Sequence, residues 1–195
     1  METEKESNLN MSTDNSVDTL KSLVLDNLKK TGCFLQGDFT LKSGKKSNFY
    51  LNLRHLVNTP HLIRDISDVI KHYLPNDKFL LCGLPYAGIP YTMAVSILYD
   101  IPSIILRKQQ KSHGLNNWID GLEKTDIRKV VLIEDIISTG SSIESALPIL
   151  EQHGLEVVKV ICIVDRREPE IKEKKRELDK KIGLMSIFTL DDFLE

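Results

Sequence analysis

The sequence predicts an α/β protein built on a mostly parallel sheet flanked by helices. Three observations predict it. The segments Lys78–Cys82, Lys129–Glu134 and Glu156–Val164 are apolar at consecutive positions, which is the mark of strands buried on both faces. They alternate with segments of helical periodicity, Gly88–Tyr99 and Ser142–His153. The chain has 195 residues, 41% hydrophobic and 28% charged, enough for one domain with a sizeable core and a small added lobe.

Taken in order, residues 1–16 are polar and acidic and are expected to form a disordered tail, with a single domain over 17–195. The tail has neither the apolar stretch of a secretory signal nor the Arg-rich pattern of a transit peptide. Ser16 is placed to cap a helix reaching about Lys30, with Val17, Leu20, Val24 and Leu28 on one face and Gly32 as its stop. Residues 34–53 alternate and read as two strands joined at Ser43–Lys46. Thr59 and Pro60 mark a helix start, Ile63, Ile66, Ile70 and Tyr73 follow at helical spacing, and Pro75 ends the segment. After Lys78–Cys82 and the helix from Gly88 come a strand at Ser103–Arg107 and a polar stretch over 108–128. Pro148 inside the Ser142–His153 helix predicts a kink or a shifted start. Residues 166–181 hold 8 basic and 5 acidic side chains and read as a solvated helix face. The run GLMSIF is a last strand, and Thr189 is placed to cap a short terminal helix.

Charge and cysteine usage exclude several classes. Lys plus Arg is 26 and Asp plus Glu is 28, a net charge of −2, which argues against a nucleic-acid binder working by bulk positive charge. No apolar run is long enough to span a membrane, and the cytosol is the expected compartment. Cys33, Cys82 and Cys162 are far apart and form no C-x-x-C, so neither a zinc site nor a redox pair is expected; Cys82 and Cys162 read as buried thiols. Walker A, H-E-x-x-H, G-x-S-x-G and G-x-G-x-x-G are all missing.

Chemistry concentrates in Val130–Ser142, VVLIEDIISTGSS. A buried strand ends in Glu134 and Asp135, and the small residues Ser138, Thr139, Gly140, Ser141 and Ser142 lead into a helix. Ligands bind at the carboxyl ends of strands in open α/β sheets. Backbone N–H groups and hydroxyls at a helix N-terminus suit a phosphate monoester. Two acids at the end of an apolar strand are costly without a role, and they suit hydroxyls or a metal. A sugar phosphate is the natural ligand, with its phosphate in the loop and its ribose hydroxyls on Glu134 and Asp135. The structural alternative is an ordinary turn with a Ser141/Glu144 capping box.

A second segment, Arg107-Lys108-Gln109-Gln110-Lys111-Ser112-His113-Gly114, has no acidic residue between Asp100 and Asp120 to neutralise it. It reads as a polyphosphate clamp, or else as a solvated basic loop. CGLPYAGIP, residues 82–90, is a strand end and turn that could bring N–H groups to a diphosphate. Lys42, in LKSG, sits in a turn. Arg166, in DRRE at a strand end, can pair with a ligand carboxylate or with Glu168.

Together these segments resemble the type I phosphoribosyltransferases. VLIEDIISTGSS resembles the family's motif for phosphoribosyl pyrophosphate (PRPP). FTLKSGKKSNFYLNLR, CGLPYAGIP, RKQQKSHG and VDRRE, in that order, are similar to the orotate phosphoribosyltransferases, and the likeness covers about residues 34–195. The resemblance implies the family's fold, a mostly parallel sheet with a small hood lobe from the N-terminal region. It implies transfer of a phosphoribosyl group from PRPP to orotate, in pyrimidine synthesis, with pyrophosphate leaving. Glu134 and Asp135 would meet the ribose hydroxyls, and Ile136, Ile137 and residues 138–142 would surround the 5′-phosphate. Arg107, Lys108, Lys111 and His113 would meet the pyrophosphate, with Tyr86 and Ala87 in the PYAG turn beside PRPP. Glu134, Asp135, Lys111 and His113 are the implied catalytic residues. Lys42, Tyr50, Leu51, Ser138 and Arg166 would form the orotate site, Arg166 on the carboxylate. Mg²⁺ would be carried by PRPP, with no metal ligands from the protein. A homodimer is implied, each mobile loop reaching its neighbour's site. Ala87 stands where some members have lysine, and Ser138 where threonine is usual. No decarboxylase domain is expected beyond Glu195. A transferase for another base and a PRPP-binding regulator are the alternatives; Arg166 argues against the first, Lys111 and His113 against the second.

Overall fold

Contact density divides the chain into two units, Met1–His72 and Tyr73–Glu195. The computed structural model describes the backbone of residues 2–40, 46–109 and 118–194, and side chains from Ser16 onward. Lys42, Lys111, His113 and the tip of the expected hairpin lie outside the described residues.

In the first unit, helix α1 runs Glu2–Lys30, so residues 2–16, expected as a tail, lie within it. No glycine or proline interrupts residues 1–31, and nothing local stops the helix before Gly32. Strands β1 (Phe34–Thr40) and β2 (Lys46–Leu51) pair antiparallel, as their alternation predicts. A 3₁₀ segment, Leu53–Asn58, leads to α2 (Pro60–His72). The Thr59 carbonyl accepts from Leu62 and Ile63 at the start of α2. Val24 and Leu28 of α1 are buried, as are Leu62, Ile66, Val69 and Ile70 of α2. Cys33 is buried too, its Sγ donating to the Leu28 carbonyl at 3.2 Å.

The second unit holds the parallel sheet. Its strands are β3 (Leu80–Gly83), β4 (Ser103–Leu106), β5 (Ile119–Asp120), β6 (Lys129–Ile137), β7 (Glu156–Asp165) and β8 (Leu184–Thr189). They lie in the order β5-β4-β3-β6-β7-β8, all neighbours parallel except the β4–β5 pair at one edge. Helices α3 (Gly88–Tyr99), α4 (Ser141–Gln152), α5 (Pro169–Lys181) and α6 (Asp191–Leu194) complete the unit. Leu80, Cys82, Val130, Leu132, Val160 and Cys162 form one layer of the buried core with Ile143, Ala146 and Leu150 of α4. That packing carries α4 through Pro148 as one element, starting one residue earlier than expected. Thr189 meets the terminal helix as a donor and not as the expected acceptor cap, its N–H and hydroxyl both donating to Asp192 Oδ2.

Chain order reverses between β3 and β6. From β3 the chain moves outward to β4, and from β6 it moves the other way to β7 and β8. Such a switch point opens a crevice beyond the carboxyl ends of the strands. Glycine closes the packing there: a Cβ on Gly88 would collide with the Ile133 carbonyl oxygen, and Leu84 N–H donates to that same oxygen at 2.9 Å. Among the described residues no helix is long and apolar enough to cross a membrane.

Candidate active site

Strand β6 extends three residues past the expected end at Glu134, so the two acids lie inside it, with Ile137 as its last residue. Their carboxyl groups lie close together, the Asp135 side chain within hydrogen-bonding reach of Glu134. Glu134, paired in register with Cys162, is only 7% exposed. Burial, and secondarily the neighbouring Asp135, push its carboxyl up to about 9 from an ordinary 4.5. Its Oε1 accepts from the Asp135 N–H at 3.2 Å. Asp135 is half-buried, and its charge acts on Arg166.

After β6 the chain makes the predicted small-residue loop. Gly140 has φ +79° and is the residue before α4, with no side chain capping the helix. The alternative capping box does not form, because Glu144 turns to Lys175 of α5, Oε2 to Nζ at 2.8 Å. The Ser141 N–H donates locally to Thr139 Oγ1 at 3.4 Å, and the remaining first-turn N–H groups of α4 are left for a ligand. A cavity of about 90 Å³ opens there, lined by Glu134, Ile136, Ile137, Ser138, Thr139, Gly140, Ser141, Ser142 and Ile143. Its lining and scale suit one phosphate group with bound water. A larger cleft, about 500 Å³, lies between α5 and β8 and contains none of the predicted site residues.

Arg166 follows β7 and is joined to the end of β6, its N–H donating to the Ile137 carbonyl at 3.0 Å. Its Nε donates to Ser138 Oγ at 3.0 Å. Arg166 therefore faces the loop, and two of the five residues expected at the orotate site, Ser138 and Arg166, stand together. Burial lowers the Arg166 pKa, and the negative charge of Asp135 opposes that shift. The next residue secures the turn: Arg167 is buried and pairs with Asp165 at 3.0 Å and Asp179 at 2.8 Å. Its N–H also donates to Asp165 Oδ1. Sequence reasoning missed this cluster, since the Asp165–Arg167 pair has no periodic signature and Asp179 is distant in sequence.

At the β4 end, Arg107 is not the unneutralised cation the sequence suggests. Short strand β5 brings Asp120 beside it, with Nη2 to Oδ2 at 2.6 Å. Arg107 N–H donates to the Trp118 carbonyl at 2.8 Å, and its Nε is buried with no partner. Lys108 Nζ lies 5.3 Å from the ring centre of Tyr86, a cation–π contact, and Tyr86 is 69% exposed in the PYAG turn. Ala87 precedes α3. The carboxyl edge of the second unit thus assembles Tyr86, Ala87, Arg107, Lys108, Glu134 through Ser142, and Arg166.

Tyr50 and Leu51 lie in the first unit, on β2. The Tyr50 ring tilts against Phe39 at 5.6 Å, and Leu51 is buried. Among the described residues no group of three or more His, Cys, Asp and Glu side chains is placed to hold a metal ion.

Residues 54–189 match the phosphoribosyl transferase domain model. The chain belongs to the phosphoribosyltransferase family. It is 32% identical over 167 residues to the orotate phosphoribosyltransferase of Methanocaldococcus jannaschii, covering 86% of this chain and 94% of that one. It is 36% identical over 155 residues to the enzyme of that name from Pyrococcus horikoshii, covering 76% and 81%. The crystal structure of orotate phosphoribosyltransferase from Aeropyrum pernix superposes with a TM-score of 0.72 at 25% identity, over 88% of this chain and 96% of that one.

Proposed function

We propose that this protein transfers the 5-phosphoribosyl group of PRPP to orotate, forming orotidine 5′-monophosphate and pyrophosphate, a step of pyrimidine biosynthesis. The observation that carries the reading is the Arg166–Ser138 pair beside an uncapped helix N-terminus. A guanidinium there meets a ligand carboxylate, and of the bases considered only orotate has one.

The reaction is a displacement at the anomeric carbon of the ribose. Pyrophosphate departs, positive charge builds on the ring, and a ring nitrogen of orotate attacks. The loop holds the 5′-phosphate, and Asp135 orients the ribose hydroxyls and favours the developing cation. Arg107 and Lys108 stand on the pyrophosphate side, joined there in the family motif by Lys111 and His113. Lys42 belongs to the same reading. Mg²⁺ bound to PRPP would neutralise charge on the leaving group, with Asp135 as the carboxylate on the ribose side. The three free, buried cysteines suit a reducing compartment such as the cytosol. A homodimer is supported by α3, whose Met93, Ile97 and Leu98 are exposed apolar side chains beside the exposed Ile105 of β4.

The test is an assay of PRPP and Mg²⁺ with orotate, uracil or hypoxanthine. Product is expected with orotate alone, and its formation should stop on chelation and return with Mg²⁺. Arg166→Ala should raise KM for orotate roughly 30-fold, the loss of a charge-assisted bond worth ~2 kcal/mol, and leave KM for PRPP nearly unchanged. Equal losses for both substrates would make Arg166 structural, and turnover of hypoxanthine in preference to orotate would reassign the base.

A further inference from the structure

Helix α5 fits its sequence reading as a solvated face, with none of its residues fully buried, but Lys175 departs from its neighbours. Its side chain is 20% exposed, against 62% for Arg176 and 61% for Lys180. Its Nζ lies 2.8 Å from Glu144 Oε2, in the first turn of α4. A Cβ on Gly140 would lie 3.3 Å from the same Nζ, so the ammonium occupies the space beside the loop that the missing side chain leaves. Gly140 also lines the 90 Å³ cavity. Two opposed charges therefore flank the proposed phosphate position. The Glu144 carboxylate, at a helix start that would receive a phosphate dianion, repels that ligand. Lys175 neutralises the carboxylate and places a positive charge against the loop.

We infer that Lys175 is a positioning residue for the 5′-phosphate of PRPP, acting through Glu144 and the Gly140 backbone from a helix outside the recognised motifs. The inference rests on the reading of the loop after β6 as the PRPP phosphate site. It requires Lys175 to serve PRPP and not orotate, because Arg166 and Ser138 approach the loop from the β7 end. It also requires the contribution to be electrostatic, and therefore to weaken with salt.

The experiment compares wild type with Lys175→Met, Lys175→Arg, Glu144→Gln and the double variant Lys175→Met/Glu144→Gln. It measures kcat, KM for each substrate, and the Kd of ribose 5-phosphate by calorimetry at low and high ionic strength. Lys175→Met is expected to raise KM for PRPP and Kd for ribose 5-phosphate about fivefold at low salt, with kcat and KM for orotate changed less than about twofold. Lys175→Arg should stay near wild type, the double variant should recover most of the loss, and high salt should shrink the difference. Glu144→Gln alone should tighten ribose 5-phosphate by about twofold, which keeps the test decisive if Lys175→Met folds poorly. Unchanged ribose 5-phosphate binding in both folded single variants would overturn the inference and leave the pair as a tether between α4 and α5. A wild type that turns over orotate while those variants match it overturns the inference alone. A wild type that binds neither PRPP nor ribose 5-phosphate overturns the functional reading and the inference with it.

Discussion

At the end of β6 the site is made of backbone and buried acid. Glu134 is packed into the sheet, Gly140 turns the chain, and uncapped N–H groups line a small cavity. At the end of β4 it is made of longer side chains that already have partners, Arg107 on Asp120 and Lys108 over Tyr86. A ligand reaching the β6 end finds its positions prepared. A ligand reaching the β4 end must take cations from existing contacts that are partly solvated and individually weak. The difference places ribose phosphate recognition on rigid elements and pyrophosphate recognition on exchangeable ones. Preparing the first region has a cost, carried by Glu134, that the second does not bear.

The sharpest way to break the comparison is at Asp135. Asp135→Asn preserves shape and removes the charge that faces Arg166 and, in the proposed reaction, the ribose. Turnover should fall about a hundredfold to a thousandfold, as for other preorganised groups acting on developing charge. The melting temperature should stay within about 2 °C of wild type, since a half-buried carboxylate gives little stability. Near-normal turnover in a folded variant would show that the rigid end binds but does not act in the chemistry.

Glu134 tests the cost itself. Its carboxyl is raised in the folded protein, to about 9, above an unfolded value near 4.5. The folded chain therefore holds a proton that the unfolded chain releases, and stability falls as pH rises between those two values. Below about pH 4.5 the group is neutral in both states and the penalty vanishes. Glu134→Gln removes the ionisation, and its advantage over wild type should grow from pH 5 to pH 8, reaching ~1–3 kcal/mol, or roughly 3–10 °C in Tm. Activity should fall in the same variant. Thermal melts across that range check the sign, and a pH-independent difference would mean that the acid is stabilised by contacts outweighing its burial.

Much of the second unit was legible because its strands are apolar at consecutive positions and its phosphate loop collects small residues after a buried strand. Such runs have no period of their own, but their shortness and their alternation with helical segments make them strands, and a parallel sheet with the loop at its carboxyl edge follows from chain order. Other parts carry no comparable signal. Strand β5 is two residues long, Ile119–Asp120, and exists only by pairing with β4. Asp120, Asp165, Arg167, Asp179 and Lys175 act through ion pairs whose partners the fold brings together, and a charge in a sequence does not name its partner. The end of β6 shows the same limit. The acids break the apolar run at Glu134, so the strand was expected to stop there, whereas pairing with β7 carries it to Ile137. Lys42, Lys111 and His113 remain expectations outside the described residues.

The smallest expected effect sharpens the comparison from its exchangeable side. Asp120 and Arg107 are each about one-third exposed, so the pair contributes little stability, and Asp120→Asn should leave the melting temperature nearly unchanged. Its consequence for ligand binding follows from competition. A pyrophosphate on Arg107 must share or displace Asp120, and the carboxylate repels it meanwhile. Removing that charge should lower KM for PRPP by about twofold to fivefold at low ionic strength, with KM for orotate unmoved. The gain should fade in high salt, because both the pair and the repulsion are screened there. The opposite result, a rise in KM for PRPP that salt does not relieve, would show that Asp120 holds Arg107 in its working orientation. In that case the β4 end is prepared like the β6 end, with a carboxylate in place of a backbone loop, and the distinction between rigid and exchangeable recognition is lost.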